Sequence, residues 1–176
     1  MYAAHFAVGM AIKVAEPRAP LGTLLVLAFL PDLFWLAFSV TGIEIVARGQ
    51  WFDGWSHSIA SIVLQGALVA FLWSRQGLAV SAAVACAVLS HLFLDLPMHP
   101  APLEWYPHAT TGVGDFLHGW ARSPALFGKT NGWWTEAAIV FCGLSIYWVG
   151  SRRAGIEKAT AGAAAILVAS LHAVFG

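Results

Sequence analysis

Residues 78–96, LAVSAAVACAVLSHLFLDL, decide the fold, because they are predominantly apolar and yet carry His91 and Asp95 near their end. A helix needs about 20 residues to cross the hydrocarbon core of a bilayer. This stretch has that length, so it is expected to span a membrane. An ionisable side chain at membrane depth faces the protein interior and usually has a function. The same stretch therefore predicts a membrane helix and marks part of a candidate site.

Other apolar stretches extend this prediction to an all-α integral membrane bundle of five or six transmembrane helices. Four of them have a comparable length: 21–40, 58–74, 135–150 and 159–175. The shorter segment Tyr2–Ala15 is either a first span or a partly inserted helix. Residues 98–134, which are rich in Pro, Gly, His and Trp, predict a long external loop, and connections of this length are often functional. The whole chain, 1–176, is expected to form a single domain.

The composition supports lipid as the main solvent of the chain. Hydrophobic residues make up 59% of the sequence and charged residues only 10%, whereas soluble domains carry about 25% charged residues. The net charge is zero, so nucleic acid is not expected as a partner. Cys86 and Cys142 lie in apolar stretches and are expected to be small buried hydrophobic residues. No cleavable signal peptide is expected, because residues 1–15 lack a basic n-region and Lys13 falls at the wrong end of this segment.

The distribution of basic residues predicts an orientation, because cytoplasmic loops of membrane proteins carry an excess of Lys and Arg. With six spans, one side holds six of these residues: Lys13, Arg18, Arg75, Arg152, Arg153 and Lys158. The other side holds three: Arg48, Arg122 and Lys129. The richer side is expected to be cytoplasmic. The sequence therefore predicts a multi-pass protein of the bacterial inner membrane whose candidate site faces the periplasm.

Asp32 is the first polar residue that needs an explanation, because it lies well inside the apolar stretch 21–40. Pro31 precedes it and removes a backbone donor, so the helix is expected to kink beside Asp32. Such kinks at membrane depth are tolerated where they line a cavity. Asp32 is therefore a candidate ligand, with helix capping as the alternative role.

Six potential ligands lie at helix ends that the topology brings to the outer face. His91 and Asp95 are four residues apart and share one helix face. The full set of candidate metal ligands is His5, Asp32, His57, His91, Asp95 and His99. Imidazole and carboxylate groups suit zinc and related divalent metals, so one or two zinc ions are expected. Asp53 and Glu136 lie at the same face and are the candidate general bases.

The ordered set resembles the membrane-bound metal-dependent hydrolases of the bacterial YdjM type. The matching residues are His5, Pro31-Asp32, Ser56-His57-Ser58 and His91 with Asp95, within roughly the first hundred residues. The order of ligands is also similar to that of the zinc phospholipases C and the single-strand-specific zinc nucleases. Two positions depart from the membrane family: Phe34 replaces a second acidic residue, and residues 51–55 replace a His-Arg-Gly sequence.

This resemblance implies a function as well as a set of ligands. Asp32, His57, His91 and Asp95 would hold one metal, His5 with Asp95 would touch a second, and His99 a third. The implied activity is hydrolysis of a phosphoester or lipid substrate at the outer face of the membrane, with a metal-bound water as the nucleophile.

Non-catalytic readings are available for the same residues. His91 and Asp95 can form a buried hydrogen-bonded pair that joins helices. Asp53 suits a turn or cap, and Glu136 suits the positive end of a helix dipole. The alternative function is accordingly a metal-binding, transport or structural membrane protein with a buried His/Asp network. The sequence does not assign roles to His108, Asp115, His118 and His172, nor does it determine the oligomeric state.

Overall fold

The computed structural model describes residues 2–47, 50–99, 102–152 and 155–175. Its helices are α1 (Tyr2–Ala15), α2 (Leu21–Ala28), α3 (Leu30–Thr41), α4 (Gly54–His57), α5 (Ile59–Leu72), α6 (Leu78–Asp95), α7 (Asp115–Arg122), α8 (Asn131–Gly150) and α9 (Lys158–Phe175). Its strands form two small antiparallel pairs, β1 (Ile45–Ala47) with β2 (Gln50–Phe52) and β3 (Leu103–Glu104) with β4 (Gly112–Val113). The predicted all-α class is confirmed. Arg48 and Arg153, which entered the orientation prediction, lie outside the described residues.

The apolar stretch 21–40 forms two helices instead of one. α2 and α3 meet at Phe29 and are bent by 53° relative to each other. Pro31 is the second residue of α3. Its missing N–H breaks no hydrogen bond there, because the first N–H groups of a helix have no intrahelical acceptor. The kink predicted beside Asp32 is therefore present, and it places Asp32 in the first turn of a new helix.

Helix α1 lies at the centre of one half of the structure, packed against α2, α6, α8 and α9. Its contact with α8 is the tightest, since a β-carbon added at Gly143 would lie 2.7 Å from the backbone oxygen of Ala7. Only glycine allows this approach of two backbones. A second apolar cluster joins α2, α5 and α6 through Leu24, Ile62 and Val84. Helix α6 also contributes Leu94 to the apolar cluster around α1. The end of α6 that carries His91 and Asp95 therefore lies beside α1.

The lengths of the helices bear on the number of membrane spans. Among the described residues, α6 alone is long and apolar enough to cross a membrane, and the bent pair α2–α3 is a second candidate if it counts as one span. Helices α1 and α5 have 14 residues each. At 1.5 Å per residue they reach about 21 Å, which is less than a bilayer core of about 30 Å. A bundle of five or six spans therefore remains a prediction.

The outer faces of the helices are apolar. Large hydrophobic side chains that are more than two-thirds exposed include Val40, Phe71, Leu78, Phe141, Val149 and Ile166. Cys86 and Cys142 are free and also lie on exposed faces, so the expectation that they are buried is wrong for the single chain. Helices α6 and α8 carry apolar residues on all sides, but only one side of each helix packs against the rest of the protein.

The connection predicted over 98–134 contains regular structure. It holds the β3–β4 pair and α7, and α8 begins within it at Asn131. The side chain of Leu103 is buried, and the backbone oxygen of Trp105 accepts a hydrogen bond from Ala60 N at 3.0 Å. These contacts fasten the connection to the start of α5, next to His57.

Candidate metal centre

His91 is fully buried near the end of α6, and the kink between α2 and α3 orients its ring. Ala28 is the last residue of α2, so its carbonyl has no acceptor role left within that helix. His91 Nδ1 lies 2.9 Å from this oxygen. A carbonyl can only accept, so Nδ1 carries the proton and donates it. The Nε2 lone pair is then free to bind a metal, as in many metal sites where the other ring nitrogen is held by a carbonyl.

His57 is oriented in a similar way by the residue before it. It ends the short helix α4 and is buried. Its Nδ1 lies 2.7 Å from Ser56 Oγ, and its Nε2 lies 3.3 Å from Nε2 of His91. Two imidazoles from helices α4 and α6 thus direct their Nε2 atoms at the same point.

Asp32 and Asp95 complete a cluster of four ligand atoms. Asp95 Oδ2 lies 3.2 Å from His91 Nε2 and 3.8 Å from His57 Nε2. Asp32 Oδ1 lies 3.4 Å from His57 Nε2 and 3.9 Å from His91 Nε2. Ligand atoms of a tetrahedral zinc site with bonds of about 2.0–2.1 Å are about 3.3 Å apart. Three of the five separations, 3.2–3.4 Å, are close to that value, and the other two, 3.8 and 3.9 Å, are longer, so the cluster has approximately the dimensions of a divalent-metal site.

The remaining ligands predicted from the sequence flank this cluster on two sides. His5 forms a group with His91 and Asp95 whose ligand atoms lie within 4.8 Å of one another. Asp53 and His99 form a similar group with His57. Asp53 Oδ2 lies 2.8 Å from His99 Nε2, and both side chains are buried. The structure therefore brings all six predicted ligands together, with Asp53 beside them.

The cluster opens to the surface on one side. The side chain of Asp32 is 34% exposed, whereas that of His91 is 1% exposed. Asp32 belongs to the first turn of α3, directly after the bend between α2 and α3. Asp32 is therefore the ligand through which the cluster reaches the surface.

Glu136 has different partners. Its Oε1 accepts hydrogen bonds from Ala3 N at 3.0 Å and Ala4 N at 3.3 Å, so it caps the N-terminus of α1. Its Oε2 lies 3.4 Å from Nδ1 of His172, whose ring lies 4.6 Å from that of Trp133. The structure thus gives Glu136 the partners of a helix cap and not those of a base beside the four ligand atoms.

Replacing Glu136 by alanine is expected to lower the free energy of unfolding by about 1–2 kcal/mol, because two amide groups at the start of α1 lose their acceptor. The metal content should not change. Denaturant unfolding and elemental analysis of the purified variant measure the two quantities. Glu157→Ala, an exposed acid, is the matched control. Loss of hydrolysis by Glu136→Ala with unchanged stability would instead favour a general base.

Glu44 is a buried polar residue that the sequence analysis did not identify. It is 2% exposed, and Ser56 donates to it from N at 2.7 Å and from Oγ at 2.9 Å. Burial raises the pKa of Glu44, although the hydrogen bonds from Ser56 act in the opposite direction. Nothing in the local sequence Gly42-Ile43-Glu44 distinguishes this acid from a solvated loop residue. Its role depends on a partner twelve positions away.

The histidines and the acid of the long connection lie elsewhere. His108 stacks on Phe52 with ring centroids 4.2 Å apart, and its amide donates to Glu104 Oε2 at 2.9 Å. Asp115 and His118 belong to α7, and their side chains are outside the described part of the chain. His108 therefore has a local packing role in the wall next to α4.

Comparisons with known proteins add no family to this geometry. No family model, no curated protein and no solved structure matches the chain. The resemblance to the YdjM-type hydrolases thus stays a prediction from the motifs.

Proposed function

We propose that this protein is a membrane-embedded, metal-dependent hydrolase that acts on a phosphoester or lipid substrate at the outer face of the membrane. The observation that carries the proposal is the cluster of Asp32, His57, His91 and Asp95, in which the Nε2 atoms of the two histidines lie 3.2–3.9 Å from each other and from both carboxylates. Two Nε2 lone pairs and two carboxylates converge there, and a divalent cation offsets the electrostatic cost of gathering them.

Zinc is the proposed metal, because imidazole nitrogen and carboxylate oxygen are among its usual ligands. The flanking group of His5 with His91 and Asp95 is the candidate place for a second ion. When bound, the metal would lower the pKa of a coordinated water and polarise the bond to be cleaved. Asp53 forms a group with His99 and with the ligand His57, so it lies beside this centre. It is the proposed general base.

The proposal includes a bundle of five or six membrane spans in the bacterial inner membrane. Its support is the apolar surface of the helices, where Phe71 and Val149 are more than 70% exposed. Exposed apolar side chains on several helices are unfavourable in water and favourable in lipid. Helices of 14 residues fit such a bundle if the bilayer thins locally or if they enter it only in part. The proposed periplasmic orientation follows from the Lys and Arg distribution.

A lipid is the favoured source of the phosphoester because an apolar groove lies between α3 and α5. The groove has a volume of about 370 Å³ and is lined mainly by Phe34, Phe38, Trp55, Leu64 and Leu68. Another lining residue, Gln65, donates from Nε2 to the backbone oxygen of Ser56 at 3.0 Å. This hydrogen bond connects the wall of the groove to the residue that precedes His57, and an apolar lining with few polar groups suits an acyl chain.

Hydrolysis by the detergent-purified protein tests this proposal. We expect zinc-dependent release of phosphate or alcohol from at least one member of a panel of phosphomonoesters, phosphodiesters and phospholipids. Asp95→Asn should reduce the rate by at least 100-fold, because one ligand loses its charge. His172→Ala, which changes a buried histidine outside the cluster, should retain the rate. Equal rates for the wild type and Asp95→Asn would assign the hydrolysis to a contaminant and reject the proposal.

A closed, non-catalytic metal site is the second candidate. Four protein ligands can fill a tetrahedral coordination shell completely, as in structural zinc sites, and three of the four ligands here are buried. This candidate predicts stoichiometric zinc without hydrolysis of any substrate in the panel. The partial exposure of Asp32 favours the catalytic candidate, since it leaves one side of the cluster accessible.

A further inference from the structure

Glu44, Ser56 and His57 form a continuous chain of hydrogen bonds that ends at the metal centre. Ser56 Oγ lies 2.9 Å from Glu44 Oε2 and 2.7 Å from Nδ1 of His57. All three side chains are buried. A hydrogen-bonded chain with an acidic residue at its far end, shielded from water, is stronger than one at the surface.

The chemistry of these groups determines where the protons lie. A carboxylate can only accept, so the Ser56 hydroxyl donates to Glu44, as the Ser56 amide does at 2.7 Å. The oxygen of the same hydroxyl then has to accept from His57 Nδ1. The Asp53 carbonyl, 3.1 Å from Ser56 Oγ, is a competing acceptor, but it is neutral and makes the weaker bond. His57 is thereby held with its proton on Nδ1 and its lone pair on Nε2.

The path of the backbone explains how Glu44 reaches this position. Helix α3 ends at Thr41, and the next residue, Gly42, has a φ of +76° that turns the chain back on itself. The amides of Ile43 and Glu44 then bond to the carbonyl of Phe38, and Glu44 lies over α4. Asp32, in the first turn of α3, faces Nε2 of His57 at 3.4 Å. Helix α3 and the loop that follows it therefore contact His57 and Ser56 from two sides, with Asp32 at the metal side and Glu44 behind the imidazole.

We infer that Glu44 is a positioning residue of the metal centre, which acts through Ser56 to hold His57 in the tautomer and orientation that bind the metal. The inference rests on the proposed metal site. Groups of this kind behind a ligating histidine typically change metal affinity by 10- to 100-fold. A purely structural role for Glu44, as a cap on the Ser56 amide, would change stability without changing the affinity of the folded protein.

The test is zinc affinity measured on the full chain in detergent, by competition with a chromophoric chelator. Glu44→Ala and Ser56→Ala should each weaken zinc binding by 10- to 100-fold. The double variant should be no weaker than the weaker single variant, because both changes break the same chain. Glu44→Gln, which keeps an acceptor oxygen, should lie between wild type and Glu44→Ala. Ser56→Thr keeps the hydroxyl and should retain the wild-type affinity.

Glu104→Gln is the matched control. This acid lies against Gly54 and accepts from the His108 amide at 2.9 Å, so it borders α4 and has a hydrogen-bond partner outside the Glu44–Ser56–His57 chain. It should bind zinc as the wild type does. Unchanged affinity in both Glu44→Ala and Glu44→Gln would overturn the inference, and so would additive losses in the double variant.

A second measurement separates this inference from the proposed function. In zinc-free protein labelled with nitrogen-15 at histidine, the His57 signals should report a protonated Nδ1 in the wild type and a mixture of tautomers in Glu44→Ala. If the wild-type protein binds no zinc, the proposed function is rejected. The nitrogen signals would still test whether Glu44, through Ser56, determines the tautomer of His57. Identical signals in the two proteins would overturn the inference.

Discussion

The double substitution of His91 and Asp95 by alanine is expected to remove the metal from the purified protein. The wild type should carry zinc at one or two ions per chain, measured by elemental mass spectrometry, and the double variant should carry less than one tenth of that amount. Both residues belong to the four-atom cluster, where their ligand atoms lie 3.2 Å apart. Of the four-residue cluster only Asp32 and His57 would remain, and two ligands are too few for a stable zinc site at this position.

His172→Ala provides the control for this measurement, because His172 is a buried histidine whose nearest acidic group is Glu136 at 3.4 Å. Its zinc content should equal that of the wild type. Absence of zinc from the wild type, even after dialysis against zinc, would contradict the proposal. In that case His91 and Asp95 would be a buried pair that joins α6 to α4.

Removal of the metal is expected to lower the thermal unfolding midpoint by about 8–16 °C. A metal present at about 1,000 times its dissociation constant stabilises the folded state by about 4 kcal/mol. For a chain of this size, each kcal/mol changes the midpoint by about 2–4 °C. The effect should be large because the ligands come from α3, α4 and α6, so the metal would link helices that are far apart in sequence.

Differential scanning calorimetry in detergent, with and without a chelator, measures this shift. The double variant at His91 and Asp95 should show the same midpoint under both conditions. A wild-type midpoint that does not respond to the chelator or to added zinc would argue against a metal that joins these helices.

The helices of this protein are largely predictable from local patterns. The bounds of α1 agree with the segment Tyr2–Ala15, and α6 ends one residue before the end of the apolar stretch 78–96. The kink at Pro31 follows from the missing amide of proline. The shared face of His91 and Asp95 follows from their spacing of four residues. Each of these features depends on residues within a few turns of one another.

The site contains features that no local pattern indicates. The acceptor of His91 Nδ1 is a backbone carbonyl 63 positions away, so only the packing of α2 on α6 selects the tautomer. Glu136 meets the amide of Ala3 across 133 positions, and its local sequence fits a helix cap and a general base equally well. Glu44 lies in a short loop whose turn at Gly42 brings it over α4.

The sequence by itself determined the helical class, the kink, and the identity of the six residues that come together as candidate ligands. The apolar stretches predict the helices. The polar residues within or at the ends of these stretches are recognisable as candidate ligands, because a polar group in an apolar environment has a high free-energy cost. The tertiary structure decided which ligand atoms lie within 3.2–3.9 Å of one another, which groups orient them, and that Glu136 caps α1. Those outcomes depend on directional hydrogen bonds between distant segments, and such bonds form only where helix packing brings the two partners into contact.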